Sequence, residues 1–241
     1  MHIRLINPNS TTSMTMQALE SALRVKQENT QVSAVNPLDT PVSIEGGADE
    51  AMAVPGMLAE IRKGEALGVN AYVVACFDDP GLNAAREVAS GPVIGICQAA
   101  VQVAMTISRR FSIITTLPRS IPLIEDLVVD YGAERHCRNV RAIDLPVLGL
   151  EEDPVQAERL LIREIEAAKK EDRAEAIILG CAGMSSLCDR LRDATGVPVI
   201  DGVTAAIKLA EALIGAGYAT SKVNAYGYPR VKENSLMSRA S

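Results

Sequence analysis

The chain has 241 residues, of which 48% are hydrophobic and 22% are charged, a balance that is typical of a folded globular protein and excludes a disordered one. Its length predicts one large domain or two smaller ones, since domains commonly hold about 100–200 residues. The chain carries 30 acidic and 24 basic residues, for a net charge of −6, without a stripe of Lys and Arg, so we expect no nucleic-acid partner.

Two further features concern the cell compartment. No run approaches the roughly 18 apolar residues that a membrane-spanning helix needs, and residues 1–10 lack the apolar core of a signal peptide. The five cysteines form an odd set in a chain of middle length, unlike the even sets of small disulfide-stabilised secreted proteins. We therefore expect a protein of the reducing cytoplasm without a membrane partner.

Short apolar runs alternate with helix-length segments along the chain. The predicted strands are residues 3–6, 31–35, 71–75, 92–96, 111–115, 140–145, 176–180 and 197–200. The runs are continuously apolar rather than alternating, which favours parallel strands that are covered on both faces. The predicted helices include residues 13–27, 121–131 and 154–170, the last with Asp153 as N-cap and Pro154 as its first residue.

The chain also contains an internal duplication. Residues 71–104 resemble residues 176–210, with Cys76 aligned on Cys181 about 105 residues later. This period is too long for a solenoid repeat of about 20–50 residues, so it indicates a duplicated lobe.

The predicted fold is therefore α/β, with two lobes related by a pseudo-twofold axis, each a four-stranded parallel sheet flanked by helices. Lobe one is assigned residues 1–105 and a C-terminal segment from about 205 to 241. Lobe two is assigned residues 106–204, and the active site is expected in the cleft between the lobes.

Cys76 and Cys181 each follow the end of a predicted buried strand, where open α/β sheets bind their ligands. A single cysteine at such a place is most often a small buried hydrophobe. Two cysteines at matching positions of a duplicated lobe point instead to a shared function. The other three, Cys97, Cys137 and Cys188, lack such a counterpart and are assigned structural roles.

A helix start is predicted after each of the two cysteines. Asp79 is expected to cap a helix that begins at Pro80, and a serine at 185–186 is expected to cap the helix after Cys181. A thiol beside a helix N-terminus feels the positive end of the helix dipole. We therefore expect lowered pKa values for the thiols of Cys76 and Cys181.

Neither a metal site nor acyl-transfer catalysis is predicted. The sequence has no Cys-x-x-Cys motif, and its histidines, His2 and His136, do not stand at a ligand spacing or beside the cysteine motifs. What remains is proton transfer, in which one thiolate takes a proton from a carbon next to a carbonyl and a thiol on the other face returns one.

Two sets of groups are expected to hold the ligand of such a reaction. Backbone amides near Phe77, Asp78 and residues 182–184 would stabilise the charge that develops on a carbonyl oxygen. The polar residues 7–12, with Thr115 and Thr116, would bind the ligand's polar edge. The alternative for these polar residues is ordinary turn and capping chemistry.

Several segments together carry a family resemblance. They are INPNSTTSMT, PVSIEGGADEA, ACFDDPGL, RFSIITTLPRS, LGCAGM and VPVIDGVTAA. In this order, between Ile3 and about Lys222, they resemble the aspartate/glutamate racemase superfamily, and most closely its hydantoin racemases. The resemblance implies a homo-oligomer, a tetramer or hexamer, that racemises 5-monosubstituted hydantoins without a cofactor, with Cys76 and Cys181 as the acid/base pair.

The resemblance and the loop chemistry together define the expected substrate contacts. These residues are Pro8, Asn9, Ile44, Phe77, Asp78, Thr115, Thr116, Ala182, Gly183 and Met184. Asp78 and Gln98 depart from the family's usual small and acidic residues at their positions. Two alternatives stay open, an allantoin racemase with the same mechanism and a two-lobed protein that binds a small molecule without catalysis.

Overall fold

Two parallel sheets with the same strand order form the framework. The structure is a computed structural model that describes residues 1–230. The strands are β1 (His2–Ile6), β2 (Gln31–Val35), β3 (Ala71–Val74), β4 (Val93–Gly95), β5 (Phe111–Thr115), β6 (Cys137–Ala142), β7 (Ala176–Leu179) and β8 (Val199–Asp201). They are arranged β2-β1-β3-β4 and β6-β5-β7-β8, and every pair is parallel. The predicted fold class is confirmed.

The inner strands explain why the sequence showed apolar runs without alternation. Every residue of β3, β5 and β7 is buried, and in β1 only His2 is partly exposed. Helices cover both faces of each sheet, so neither face of these strands meets water.

The helices flank the sheets in chain order. They are α1 (Thr12–Val25), α2 (Gly47–Ala66), α3 (Leu82–Val88), α4 (Ile96–Ile107), α5 (Ile121–Asp130), α6 (Gly149–Glu152), α7 (Pro154–Ala167), α8 (Cys188–Thr195) and α9 (Gly202–Gly215). Asp153 caps α7 as predicted, because its side chain accepts a hydrogen bond from the Gln156 amide at 2.9 Å. In residues 1–230, no helix has the length and apolar character to cross a membrane.

The last helix of each half packs on the sheet of the other half. Helix α4 follows β4 but contacts β7 and β8, and α9 follows β8 but contacts β3 and β4. The two helices also pack against each other. The lobes therefore share one hydrophobic core, which includes Ile94 and Val101 from the first half and Ile178 and Val203 from the second. Residues 231–241 of the C-terminal segment assigned to lobe one lie outside the described residues.

The helix start predicted at Pro80 is wrong. Helix α3 begins at Leu82 after Gly81, which takes the left-handed backbone conformation with φ 63°. Asp79 itself has φ 46°, and its carboxylate accepts hydrogen bonds from the amides of Cys97 and Gln98 in α4. Asp79 thus caps a helix, but one that lies further along the chain.

The serine cap predicted after Cys181 is also wrong. A short 3-10 helix, Ala182–Leu187, follows this cysteine, and α8 then begins at Cys188 without a side-chain cap. The hydroxyl of Ser185 donates instead to the carboxylate of Asp201 at the start of α9. In both halves, a polar side chain near the cysteine is engaged by a distant helix.

The cap of α7 gives a direct test of local stability. Asp153→Ala should lower the free energy of unfolding by about 1 kcal/mol, because the Gln156 amide loses its acceptor. Urea unfolding measures the change. Asp193→Ala, which removes an exposed carboxylate within α8, should change the free energy by less than about 0.5 kcal/mol. An equal loss in the two variants would contradict this assignment of the cap.

Candidate active site

Cys76 and Cys181 meet in one cavity. Each lies at the second position beyond the end of its strand, Cys76 after β3 and Cys181 after β7. Both residues are partly exposed, and both line a small cavity of about 30 Å³ that opens in part to solvent. The duplication therefore places two equivalent thiols against the same small volume.

Both lobes contribute to the wall of the cavity. Its lining residues are Asn9, Met14, Ile44, Ala75, Cys76, Phe77, Asp78, Thr115, Thr116, Ser120, Val147, Gly180, Cys181 and Ala182. A larger apolar groove between α4, α8 and α9 contains Cys188 but neither of the paired thiols. The smaller cavity is the candidate active site because the two thiols converge there.

Most of the residues expected to contact a substrate are brought together here. Asn9, Ile44, Phe77, Asp78, Thr115, Thr116 and Ala182 line the cavity. Pro8, Gly183 and Met184 are not among the lining residues, although Gly183 lies against the Cys181 sulfur. Met184 is instead buried in a core cluster of the second lobe. Phe77 is both a wall of the cavity and part of the shared core.

Sequence reasoning missed five lining residues. These are Met14, Ala75, Ser120, Val147 and Gly180. Three of them could have been found from the sequence. Ala75 and Gly180 directly precede the paired cysteines, and Ser120 ends the RFSIITTLPRS segment that contains Thr115 and Thr116. Val147 carried no such signal, because a contact with the first lobe brings it to the cavity.

That contact closes one side of the cavity. The Val147 amide donates to the Glu45 side chain at 3.1 Å, which joins the two lobes next to Ile44. The same first-lobe segment is held to residues 10–11, since the Thr11 hydroxyl donates to the Val42 carbonyl at 2.6 Å. Ile44 is therefore held as an apolar wall, with only 7% of its surface exposed.

The polar residues after β1 have divided roles. The side-chain NH₂ of Asn7 donates to the Asn9 side-chain oxygen at 2.7 Å and to the Thr15 hydroxyl at 3.0 Å, which is turn and capping chemistry. Asn9 also reaches the cavity, where its side-chain NH₂ contacts the Met14 sulfur at 3.6 Å. A sulfur atom is a weak acceptor, so this NH₂ is available to a stronger one. Thr115 donates its hydroxyl to the Gly180 carbonyl at 3.2 Å.

The expected lowering of the thiol pKa values is wrong. Burial, followed by the charge of Asp78, raises the pKa of Cys76 well above its ordinary value. Burial also raises the pKa of Cys181 to about 12. The α-helix starts that were predicted beside the sulfurs are absent, since α3 begins only at Leu82 and a short 3-10 helix follows Cys181.

Backbone amides oppose this effect in the same way at both sulfurs. The amide of Asp78 hydrogen-bonds the Cys76 sulfur, and the amide of Gly183 hydrogen-bonds the Cys181 sulfur, and each lowers the pKa of its thiol. Asp78 and Gly183 both stand two residues after their cysteine. The duplicated backbone thus supplies each sulfur with one N–H donor that stabilises a thiolate.

The carboxyl group of Asp78, which influences both sulfurs, gains or loses its charge near neutral pH. Burial, with the charges of Glu50 and Asp79, raises the pKa of its carboxyl to about 7. Its charge in turn raises the pKa of both thiols. Glu50 of α2 is itself half-buried, and one of its carboxyl oxygens lacks a hydrogen-bond partner among residues 1–230. The surroundings of the two sulfurs are therefore acidic, with a mostly buried carboxyl group at the cavity wall.

Comparisons with known proteins find relatives whose similarity covers both lobes. Residues 3–210 match the family model described as Asp/Glu/Hydantoin racemase. The chain is 83% identical to the hydantoin racemase of Rhizobium meliloti, covering 96% of each chain. It is 46% identical to the hydantoin racemase of Pseudomonas sp. (strain NS671), covering 97% of this chain and 94% of the relative. The solved structure of the allantoin racemase from Klebsiella pneumoniae matches with a TM-score of 0.95 at 46% identity, over 97% of this chain and 96% of that one.

The charge of Asp78 gives a prediction about the thiols. Asp78→Asn should let Cys76 and Cys181 ionise at lower pH, because it removes a negative charge that raises both pKa values. The difference from the unmodified protein should appear above about pH 7, where Asp78 is ionised, and vanish below it. Rates of alkylation by iodoacetamide, followed for each cysteine by peptide mass spectrometry, measure the effect.

A control separates this local effect from net charge. Asp126→Asn removes an exposed carboxylate from α5 and should leave both alkylation profiles unchanged. Unaltered profiles in the Asp78 variant, or an equal shift in the Asp126 variant, would contradict the assigned influence of Asp78.

Proposed function

The chain belongs to the Asp/Glu/hydantoin racemase family, and from this premise we propose that it racemises 5-monosubstituted hydantoins by moving the C5 proton between two thiols. The observation that carries the proposal is the convergence of Cys76 and Cys181, from equivalent strand ends of two lobes, on one cavity. The thiols supply both the base and the acid, so the proposed reaction needs no cofactor.

The hydantoin ring suits this chemistry. Its C5–H bond lies next to a ring carbonyl, so loss of the proton leaves a planar enolate. A thiolate takes the proton from one face and becomes a thiol, while the thiol on the other face donates its proton to C5 and becomes a thiolate. The configuration at C5 is inverted, and Cys76 and Cys181 have exchanged roles.

The raised pKa values serve the difficult half of this reaction. A carbon acid needs a strong base, and a thiolate with a high pKa is a stronger base than an ordinary one. The amides of Asp78 and Gly183 hold the charge on the sulfurs without water. The loops that carry Phe77 and Ala182 bring further backbone amides to the cavity wall for the enolate oxygen.

The lining of the cavity favours a neutral ring over an amino acid. Among the described residues, no Lys or Arg lines this cavity, whereas Asp78 does. A substrate carboxylate would meet the Asp78 charge without a cation to balance it. A hydantoin ring instead offers carbonyl oxygens to the NH₂ of Asn9 and apolar substituents to Ile44 and Phe77.

A second candidate substrate is allantoin, a hydantoin with a ureido substituent at C5. Burial and neighbouring charges, rather than hydrogen bonds, account for the raised pKa of the Asp78 carboxyl, so its oxygens are available to a ligand. A ureido group presents adjacent N–H donors that match the two oxygens of a carboxylate. Asp78 is thus the observation that favours this alternative.

Loss of either thiol should abolish racemisation. Cys76→Ser and Cys181→Ser should each lower kcat by at least about a hundredfold, since a positioned acid or base contributes on the order of 10²–10⁴. Loss of optical rotation of enantiopure 5-benzylhydantoin measures the rate, and mass spectrometry in heavy water measures deuterium uptake at C5.

Cys188→Ser is the matched control, because Cys188 is also a partly exposed thiol but lies in the groove between α4, α8 and α9. It should retain the activity of the unmodified protein. If both paired-cysteine variants racemise normally, the two-thiol mechanism is wrong. If the unmodified protein binds the hydantoin and the optical rotation stays constant, the protein is a binding protein instead.

The allantoin alternative makes a different demand on Asp78. Asp78→Asn should lower kcat/KM for allantoin about ten- to hundredfold more than for 5-benzylhydantoin if the carboxylate binds the ureido group, as expected for a hydrogen bond to a charged group. Parallel polarimetry with the two substrates measures this ratio. Equal effects on both substrates would remove the argument for allantoin.

A further inference from the structure

In each lobe, the loop after the cysteine is tied to the first turn of the helix that follows the next strand. In lobe one, the Asp79 carboxylate accepts hydrogen bonds from the amides of Cys97 at 3.2 Å and Gln98 at 2.9 Å, in α4. We name this contact the first-lobe bridge. It connects the loop that carries Cys76 to a helix about 20 residues further along the chain.

Lobe two makes the same connection with the aspartate on the other side. Asp201 stands at the start of α9 and accepts from the amides of Val203 at 3.0 Å and Thr204 at 3.1 Å. The loop after Cys181 supplies Ser185, whose hydroxyl donates to Asp201. We name the contact between Ser185 and Asp201 the second-lobe bridge.

A glycine shows why lobe one needs the opposite arrangement. Gly95 ends β4 and precedes α4, as Asp201 ends β8 and precedes α9. A Cβ atom at Gly95 would overlap the carboxyl group of Asp79, which fills that space. The loop aspartate and the helix-start aspartate therefore exclude each other in lobe one.

Both bridges are buried and specific. Asp79, Ser185 and Asp201 expose no more than 5% of their surface. Asp79 also has a left-handed backbone with φ 46°, an unfavourable conformation that its surroundings must maintain. The Tyr131 hydroxyl, from the end of α5 in lobe two, donates to the Asp79 carboxylate at 2.7 Å and ties this loop to the other lobe as well.

The packing of the two helices makes each bridge span both lobes. Helix α4, tied to the Cys76 loop, lies on β7, the strand that leads to Cys181. Helix α9, tied to the Cys181 loop, lies on β3, the strand that leads to Cys76. The position of each cysteine loop is therefore set by a helix that packs on the strand leading to the other cysteine.

We propose that Asp79, Ser185 and Asp201 are positioning residues that hold the two cysteine loops at the separation a single stereocentre requires. This inference rests on the proposed role of the two thiols. A small displacement of one sulfur would leave substrate binding nearly intact and slow proton transfer, since a misplacement of about 1 Å costs roughly a hundredfold in rate.

The Ser185→Ala variant tests the second-lobe bridge without a change of charge. It leaves Asp201 to cap α9 but releases the loop whose Gly183 amide holds the Cys181 sulfur. We expect kcat to fall about ten- to hundredfold with KM changed less than about threefold. Alkylation of Cys181 by iodoacetamide at a fixed pH should slow by roughly two- to tenfold, as for a weakened hydrogen bond, whereas alkylation of Cys76 should not change.

Ser112→Ala is the matched control, because Ser112 is also buried and its hydroxyl also donates to a carboxylate, that of Asp172, away from both thiols. It should alter thermal stability but neither kcat nor the alkylation rates. If Ser185→Ala behaves like Ser112→Ala in kcat and in alkylation, Ser185 has only a structural role and the inference is overturned.

Asp79→Asn tests the first-lobe bridge. Loss of the Asp79 charge alone would shift the pH profile of kcat, because that charge raises the pKa of Cys76. Loss of position should lower kcat at its pH maximum as well, about tenfold or more. A shifted profile with an unchanged maximum would contradict positioning by Asp79. If this variant does not fold, Tyr131→Phe, which deletes one hydroxyl donor to Asp79, takes its place with the same readout.

The outcome separates this inference from the proposed function. If the serine variants of Cys76 and Cys181 are inactive but Ser185→Ala behaves as its control, the thiol mechanism stands and the positioning role fails. If those serine variants stay active while Ser185→Ala still slows alkylation of Cys181 alone, the bridge orders its loop but the proposed function fails, and the positioning role for catalysis fails with it.

Discussion

The sulfur atoms of Cys76 and Cys181 line one small space although their strands belong to two different sheets, and this convergence depends on most of the architecture. One parallel sheet presents its strand ends in one direction, so a single lobe brings a thiol to a ligand from one side only. The duplication supplies a second strand end. Because α4 packs on the second sheet and α9 on the first, the two strand ends share one hydrophobic core. Cys76 and Cys181 then reach the same cavity from strands that belong to different sheets.

Burial has two opposite effects on the proposed proton transfer. It raises the pKa of both thiols and so makes a thiolate scarce, but it also makes that thiolate a stronger base toward carbon. The amides of Asp78 and Gly183 reduce the first effect with N–H donors from the backbone, which add no charge to the cavity. A cationic side chain would hold a thiolate more firmly and weaken it as a base.

The sequence predicted the framework well because the signals for it are local or periodic. Continuous apolar runs marked all eight strands to within a few residues, and the repeat of about 105 residues paired Cys76 with Cys181. The roles of Asp79 and Ser185 were not predictable in this way. A capping rule examines the next three residues, whereas Asp79 caps α4 and Ser185 contacts Asp201, 16 positions away. The thiol pKa values are raised rather than lowered because burial is their largest cause and no α-helix starts directly after either cysteine.

The pseudo-symmetry is kept in the backbone and broken in the side chains. The second residue after each cysteine gives its amide to the sulfur in both lobes, but it is Asp78 in one and Gly183 in the other. The Asp78 carboxylate is the largest charge effect on Cys76 and a smaller influence on Cys181 than burial and the Gly183 amide. The Asp78 charge is therefore a more prominent influence on the pKa of Cys76 than on that of Cys181. The carboxyl groups that raise the pKa of the two thiols, those of Glu45, Asp78 and Asp79, all come from the first lobe, so the duplication that pairs the sulfurs leaves the charge around them one-sided.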